Sequence, residues 1–151
     1  MSNELMHIKL CRVIGDEQIS ALLEDFKYIF PHLEDRKNNL SDYAKKLNKY
    51  GKVYCAKSNN TVFGMVALYD NNKETKEAFI ALIGIKDEYR HKGLGTELMI
   101  SILEVLKSEG MKSLKLEVDN CNLHAIDYYK RNGFILLCAA GDDSSYMTRK
   151  I

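Results

Sequence analysis

The sequence predicts a mixed α/β layer fold, an α+β mixed sheet with helices on it, and three observations predict it. Apolar residues recur at helical spacing in some segments and alternate, or run unbroken, in others. The two kinds of segment follow one another as β-α-α-β-β-β-α-β-α-β-β, an order that suits one sheet covered by helices. The 151 residues suffice for one ordinary core, so 1–151 is read as a single domain.

Each element has its own signal. His7–Ile14 alternates as a strand. Glu17–Phe30 carries a helical stripe of Ile19, Leu22, Leu23, Phe26, Ile29 and Phe30, with Asp16 as expected N-cap and Pro31 as the stop. Ser41–Tyr50 is expected as a second helix, capped by Ser41 and closed by Gly51. Lys52–Lys57 and Thr61–Tyr69 flank Ser58-Asn59-Asn60, a hairpin signal. Asp70–Lys76 is a polar turn, and the run AFIALIGI in Glu77–Ile85 predicts a strand buried on both faces. Leu94, Leu98, Ile102, Val105 and Leu106 form the stripe of a helix that Gly110 ends. Lys112–Val118 alternates as a strand, Asn122–Asn132 is a short helix with Gly133 at its C′ position, and Phe134–Ala139 and Ser145–Arg149 are the last strands.

Bulk composition narrows the function classes. Lys and Arg number 22 against 21 Asp and Glu, so broad nucleic-acid or membrane binding is not expected. No stretch approaches the roughly 20 apolar residues of a membrane span, and the start lacks an apolar signal core, which predicts a cytoplasmic location. Cys11, Cys55 and Cys138 lie in apolar runs and read as reduced core thiols. Cys121, between two asparagines, is expected to be more exposed. No Cys or His falls at metal-ligand spacing, so no metal is expected.

The segment Asp87–Leu103, DEYRHKGLGTELMISIL, raises a specific question. Two glycines stand at the start of an amphipathic helix, where each costs roughly 1 kcal/mol against alanine. The first turn of a helix offers backbone N–H groups and the positive end of the macrodipole. Glycine lets an anion approach that backbone, and Arg90, His91 and Lys92 add charge beside it. Arg90–Gly95 therefore reads as a pyrophosphate cradle. The P-loop pattern is absent, and a dinucleotide fingerprint would need its third glycine where Leu98 stands.

A second cluster, EVDNCNLHAIDYYKRNGF from Glu117 to Phe134, places Asn122, Ala125, Tyr129, Gly133 and Phe134 in the pattern N-x-x-A-x-x-x-Y-x-x-x-G-F. Following Arg90, Gly93 and Gly95 in R-x-x-G-x-G, it resembles the GNAT superfamily of acetyl-CoA-dependent N-acetyltransferases. The resemblance covers roughly Thr61 to Phe134. It implies a central, mostly antiparallel sheet splayed around the cofactor, with helices on both faces. It also implies acetyl-CoA as co-substrate, with its pyrophosphate on Arg90, His91, Lys92, Gly93, Leu94, Gly95 and Thr96. The pantetheine arm would pair with Ile83, Gly84 and Ile85, Gly84 marking a bulge. The Ile83 N–H would polarise the acetyl carbonyl, and Asn122 would contact pantetheine.

Direct aminolysis of a thioester in a ternary complex needs a neutral amine and a proton for the leaving thiolate. By its motif position Tyr129 is the acid candidate, and Tyr128 is assigned to packing. Glu117 resembles the glutamate of ribosomal-protein N-terminal acetyltransferases and is the base candidate, with Glu77 acting through water as the alternative. His124 is expected on an exposed helix face, and Lys130 and Arg131 could meet the 3′-phosphate or form a solvated basic face. The resemblance puts Phe26, Tyr28, Phe30, His32, Glu34, Asp35 and Tyr43 along the acceptor wall. That mix suits a small-molecule amine. A protein N-terminal or lysine acetyltransferase, or a non-catalytic acetyl-CoA-binding regulatory module, are the alternatives. A homodimer is left open.

Overall fold

The computed structural model describes residues 8–30, 33 and 39–151. Strand β1 is Ile8–Val13 and helix α1 is Asp16–Phe26, continued by a 3-10 turn over Lys27–Ile29. Helix α2 is Leu40–Tyr50. Strands β2 (Lys52–Ser58), β3 (Thr61–Tyr69) and β4 (Glu77–Ile85) follow, then α3 (Leu94–Ser108), β5 (Ser113–Asp119), α4 (Leu123–Arg131), β6 (Ile135–Ala139) and β7 (Ser144–Lys150). The strands form one open, mostly antiparallel sheet in the order β1-β2-β3-β4-β5-β7-β6, with β4 and β5 parallel. Among the described residues the strands and longer helices follow the expected order. His7 and the Pro31 stop lie outside the described residues.

The chain divides into two compact units, one of the residues up to Ala67 with Leu82–Leu98, the other of Leu68–Ala81 with Met99–Ile151. In the first, α1 packs on α2 and buries Ile19, Leu23 and Phe26 with Ala44 and Leu47. Asn59 and Asn60 both have positive φ, the requirement of a two-residue hairpin turn between right-twisted strands. Two caps differ from expectation. Asn39, not Ser41, caps α2, its Oδ1 accepting from Asp42 N–H at 2.9 Å. Asp16 is the first residue of α1 rather than its cap. The start of α1 is instead held by Asn48 of α2, whose Oδ1 accepts from Gly15 N–H at 3.0 Å while its Nδ2 donates to Asp16 Oδ1 at 2.9 Å.

In the second unit, Leu114, Leu116 and Val118 of β5 point into a core with Ile102 and Leu106 of α3, Phe134 and Met147. The β4–β5 ladder runs from Glu77↔Ser113 to Ile80↔Leu116 and ends there. Burial of β4 follows it: Ala78 and Ile80 are buried, whereas residues 81–85 are only half-buried. The expectation of burial on both faces therefore fails for the second half of the strand. All of β6 is exposed, with Ile135 at 65%. Cys138 is exposed with it, against the expectation of a core thiol, because β6 is the last strand of the sheet.

Candidate active site

The first unit carries the end of β4 and the loop into α3. Ile83, Gly84 and Ile85 are half-buried. A Cβ built on Gly84 would fall 2.8 Å from Phe30 Cζ, closer than real side chains come, and a tight 3.1 Å from Ile29 Cγ2. Glycine here lets the Phe30 ring lie directly on the strand, a different reason from the expected bulge. Beyond it, Lys86 Nζ meets Asp25 Oδ2 at 2.8 Å and stands 5.3 Å from the centroid of the Phe26 ring. The hydrogen bond to Asp25 raises the Lys86 pKa against the opposing effect of burial. Phe26 is itself fully buried, so it belongs to the core rather than to an acceptor wall. Tyr28 is 54% exposed, Tyr43 is half-buried, and His32, Glu34 and Asp35 lie outside the described residues.

The loop is built by a 3-10 turn over Asp87–Tyr89, whose Tyr89 ring packs 5.9 Å from Phe63. Arg90 Nε donates to the Ile85 carbonyl at 3.4 Å and lies 3.3 Å from Asp87 Oδ1. Lys92 Nζ stands 5.8 Å above the Tyr89 ring. His91 and Gly93 both have positive φ, 64° and 77°. Such a conformation is uncommon for a residue with a side chain, and it turns the backbone sharply into α3. A Cβ on Gly93 would meet nothing within 4 Å, so the loop surface is open at that point. Leu94 anchors the helix start by full burial, with Gly95 half-buried and Thr96 exposed after it. Arg90, His91 and Lys92 are all exposed, so three basic side chains flank the positive end of a 15-residue helix. The geometry fits an anion.

The second unit carries the other cluster. Asn122 caps α4, its Oδ1 accepting from Ala125 N–H at 3.2 Å. The Tyr129 ring lies edge-on to Phe134 at 5.6 Å, and burial pushes its hydroxyl pKa up to about 12. Tyr128 is not remote from it: the two rings are 5.3 Å apart, and burial raises the Tyr128 pKa as well. Gly133 has φ 88°, and its missing Cβ leaves room for Arg149, whose Nη1 donates to the Asn132 carbonyl at 2.6 Å. Glu117 is exposed on β5, opposite Tyr146, and accepts from the buried Ser144 hydroxyl at 2.7 Å. Glu77 instead lies 3.9 Å from Lys115 Nζ. His124, Lys130 and Arg131 are exposed, and Arg131 meets Asp127 at 3.3 Å. Sequence reasoning missed Ser144, which is 27 residues from Glu117 and carries no local signal.

The model of the Acetyltransferase (GNAT) family matches residues 17–134. N-alpha-acetyltransferase 30 of Schizosaccharomyces pombe is 37% identical over 60 residues, which span 40% of this chain and 40% of that relative. The crystal structure of the PaiA N-acetyltransferase of Thermoplasma acidophilum in complex with coenzyme A superposes with a TM-score of 0.72 at 20% identity, covering 97% of this chain and 100% of that one. Nourseothricin acetyltransferase superposes with a TM-score of 0.59 at 26% identity, covering 66% of this chain and 65% of the other. With the family model spanning most of its length, the chain belongs to the GNAT family of acetyltransferases and is an acyltransferase.

Proposed function

We propose that this chain transfers the acetyl group of acetyl-CoA to a primary amine of a small molecule, by direct attack. The observation that carries the reading is the Arg90–Thr96 loop: left-handed backbone at His91 and Gly93, three exposed basic residues and an open surface at Gly93, all at the start of α3. Arg90, His91, Lys92, Gly93, Leu94, Gly95 and Thr96 would hold the pyrophosphate. Ile83, Gly84 and Ile85 offer strand backbone to the pantetheine amides, and the Ile83 N–H polarises the acetyl carbonyl. Asn122 adds a polar contact to the arm. Acetyl-CoA, when bound, supplies the activated thioester.

Tyr129 and Glu117 are assigned roles by their own chemistry. Burial keeps the Tyr129 hydroxyl protonated at neutral pH, so it can donate to the departing thiolate. Glu117, exposed and oriented by Ser144, takes the proton from the amine. The apolar surface that Ile29 and Phe30 lay on Gly84 is an acceptor wall for the uncharged part of a small amine. A second reading, the α-amine of a protein, is favoured by the 37% identity to N-alpha-acetyltransferase 30.

Two measurements test this. Acetyl-CoA at 100 times its Kd should stabilise the native state by about 2.7 kcal/mol, read as a higher melting temperature. Gly93→Glu should lose most of that shift, and no shift at millimolar acetyl-CoA refutes the cradle. A thiol-release screen over amines, amino sugars, polyamines, antibiotics and peptides then names the acceptor. Turnover confined to peptides selects the second reading, and binding without turnover selects a regulatory module.

A further inference from the structure

The antiparallel register of β1 and β2 sets Cys11 directly opposite Cys55. Opposed residues of a ladder point to the same face, so the two thiols share it. Their Cα atoms stand about 4.5–5.5 Å apart by the geometry of such pairs, within the roughly 4.4–6.8 Å found in disulfides. Both are free thiols, and Cys11 lies close enough to raise the Cys55 pKa. β1 is the first strand of the sheet, and among the described residues no strand pairs with its outer edge to resist a small approach toward β2. The same face carries Lys9 opposite Lys57 on one side of the pair and Val13 opposite Val53 on the other. Acetyl transfer as described uses neither cysteine.

We propose that Cys11 and Cys55 form a peroxide-reactive dithiol that closes to a cross-strand disulfide. Cys11 is half-buried and Cys55 buried, so Cys11 meets the oxidant first. Burial also holds the Cys55 pKa up, with Cys11 adding to it and Lys57 opposing. The Cys11 thiolate attacks one oxygen of hydrogen peroxide. The O–O bond breaks, and hydroxide leaves and is protonated to water. The product is a sulfenic acid on Cys11. The Cys55 sulfur then attacks the Cys11 sulfur, the S–O bond breaks, and the departing hydroxide takes the Cys55 proton as a second water. Two thiols lose two electrons and peroxide gains them. Reduction by a dithiol reverses the change.

The test uses the full chain carrying Cys121→Ser and Cys138→Ser, which removes the two exposed thiols. After treatment with hydrogen peroxide, unfolding and alkylation, peptide mapping should find Cys11 joined to Cys55 and no alkylated thiol. The oxidised protein should melt at a higher temperature, and dithiothreitol should return both changes. Adding Cys55→Ala should abolish the link and the gain. Should that variant fail to fold, Cys11→Ala at the sheet edge gives the same reading. Recovery of both cysteines alkylated, or Cys11 as a sulfinic acid with no linked peptide, overturns the proposal.

Discussion

Tyr129 stands between two aromatic rings, Tyr128 and Phe134, and the same burial that fixes its protonated state makes it a weaker acid. Its hydroxyl, at about 12, lies well above an ordinary thiol near 8.5, so it stabilises the departing thiolate as a hydrogen-bond donor and does not give up its proton outright. Tyr129→Phe keeps the ring and removes the oxygen. The expected result is a fall in kcat of about 10²-fold or more, with acetyl-CoA affinity and melting temperature nearly unchanged. Full turnover in that variant would make the tyrosine structural. Tyr128→Phe also keeps its ring against Tyr129 and removes only the neighbouring hydroxyl, so it should leave turnover nearly unchanged. For Glu117, the Gln variant should lower turnover and flatten the acid limb of the pH–rate profile while acetyl-CoA affinity holds. An unaltered profile moves the role to Glu77 or to solvent. The sequence placed both side chains on the right elements through helix and strand periodicity. It could not show Ser144 reaching Glu117 or Tyr128 beside Tyr129, since both depend on tertiary packing.

At the scale of elements, β4 changes character along its length. Its first half sits in a ladder with β5, and its second half is half-buried with Phe30 lying on Gly84. Gly84→Val should drive side-chain atoms into that ring and cost about 1–3 kcal/mol, the usual penalty of overpacking. Phe30→Leu in the same chain should recover part of the loss, measured by denaturant unfolding; strict additivity would show that the two residues do not interact. Apolar patterning could not reveal the division of β4, because AFIALIGI reads alike in a fully buried strand and in one whose neighbour stops partway. The caps differ from the expected ones for a related reason. Asn39 and Ser41 are both good caps by type, and only the backbone at Asn39 decides between them.

For the whole molecule, the tyrosine shifts contribute to the loss of stability at alkaline pH. A phenol whose pKa rises on folding favours the native state fully below its unfolded value near 10, and that contribution is lost as pH climbs through the folded value. Melting temperature should therefore decline above about pH 10, and Tyr129→Phe should decline less steeply. An identical slope in wild type and variant would show that Tyr129 is not buried as described. The order of strands and helices was readable in the sequence because each period is local. Which strand stands at an edge was not, and Cys138 was assigned inward for that reason.

The bridge from Asn48 to Gly15 and Asp16 has a kinetic consequence. Most helix caps come from residues adjoining the helix and form with its first turn. This one comes from a residue 32–33 positions away, so α1 remains frayed at its start until α2 has docked. A contact closed that late contributes little to the folding barrier and much to the unfolding barrier. Asn48→Ala should thus cost about 1 kcal/mol, appearing almost wholly as faster unfolding with the refolding arm of the chevron unmoved. A slower refolding arm would place the docking of the two helices before the transition state.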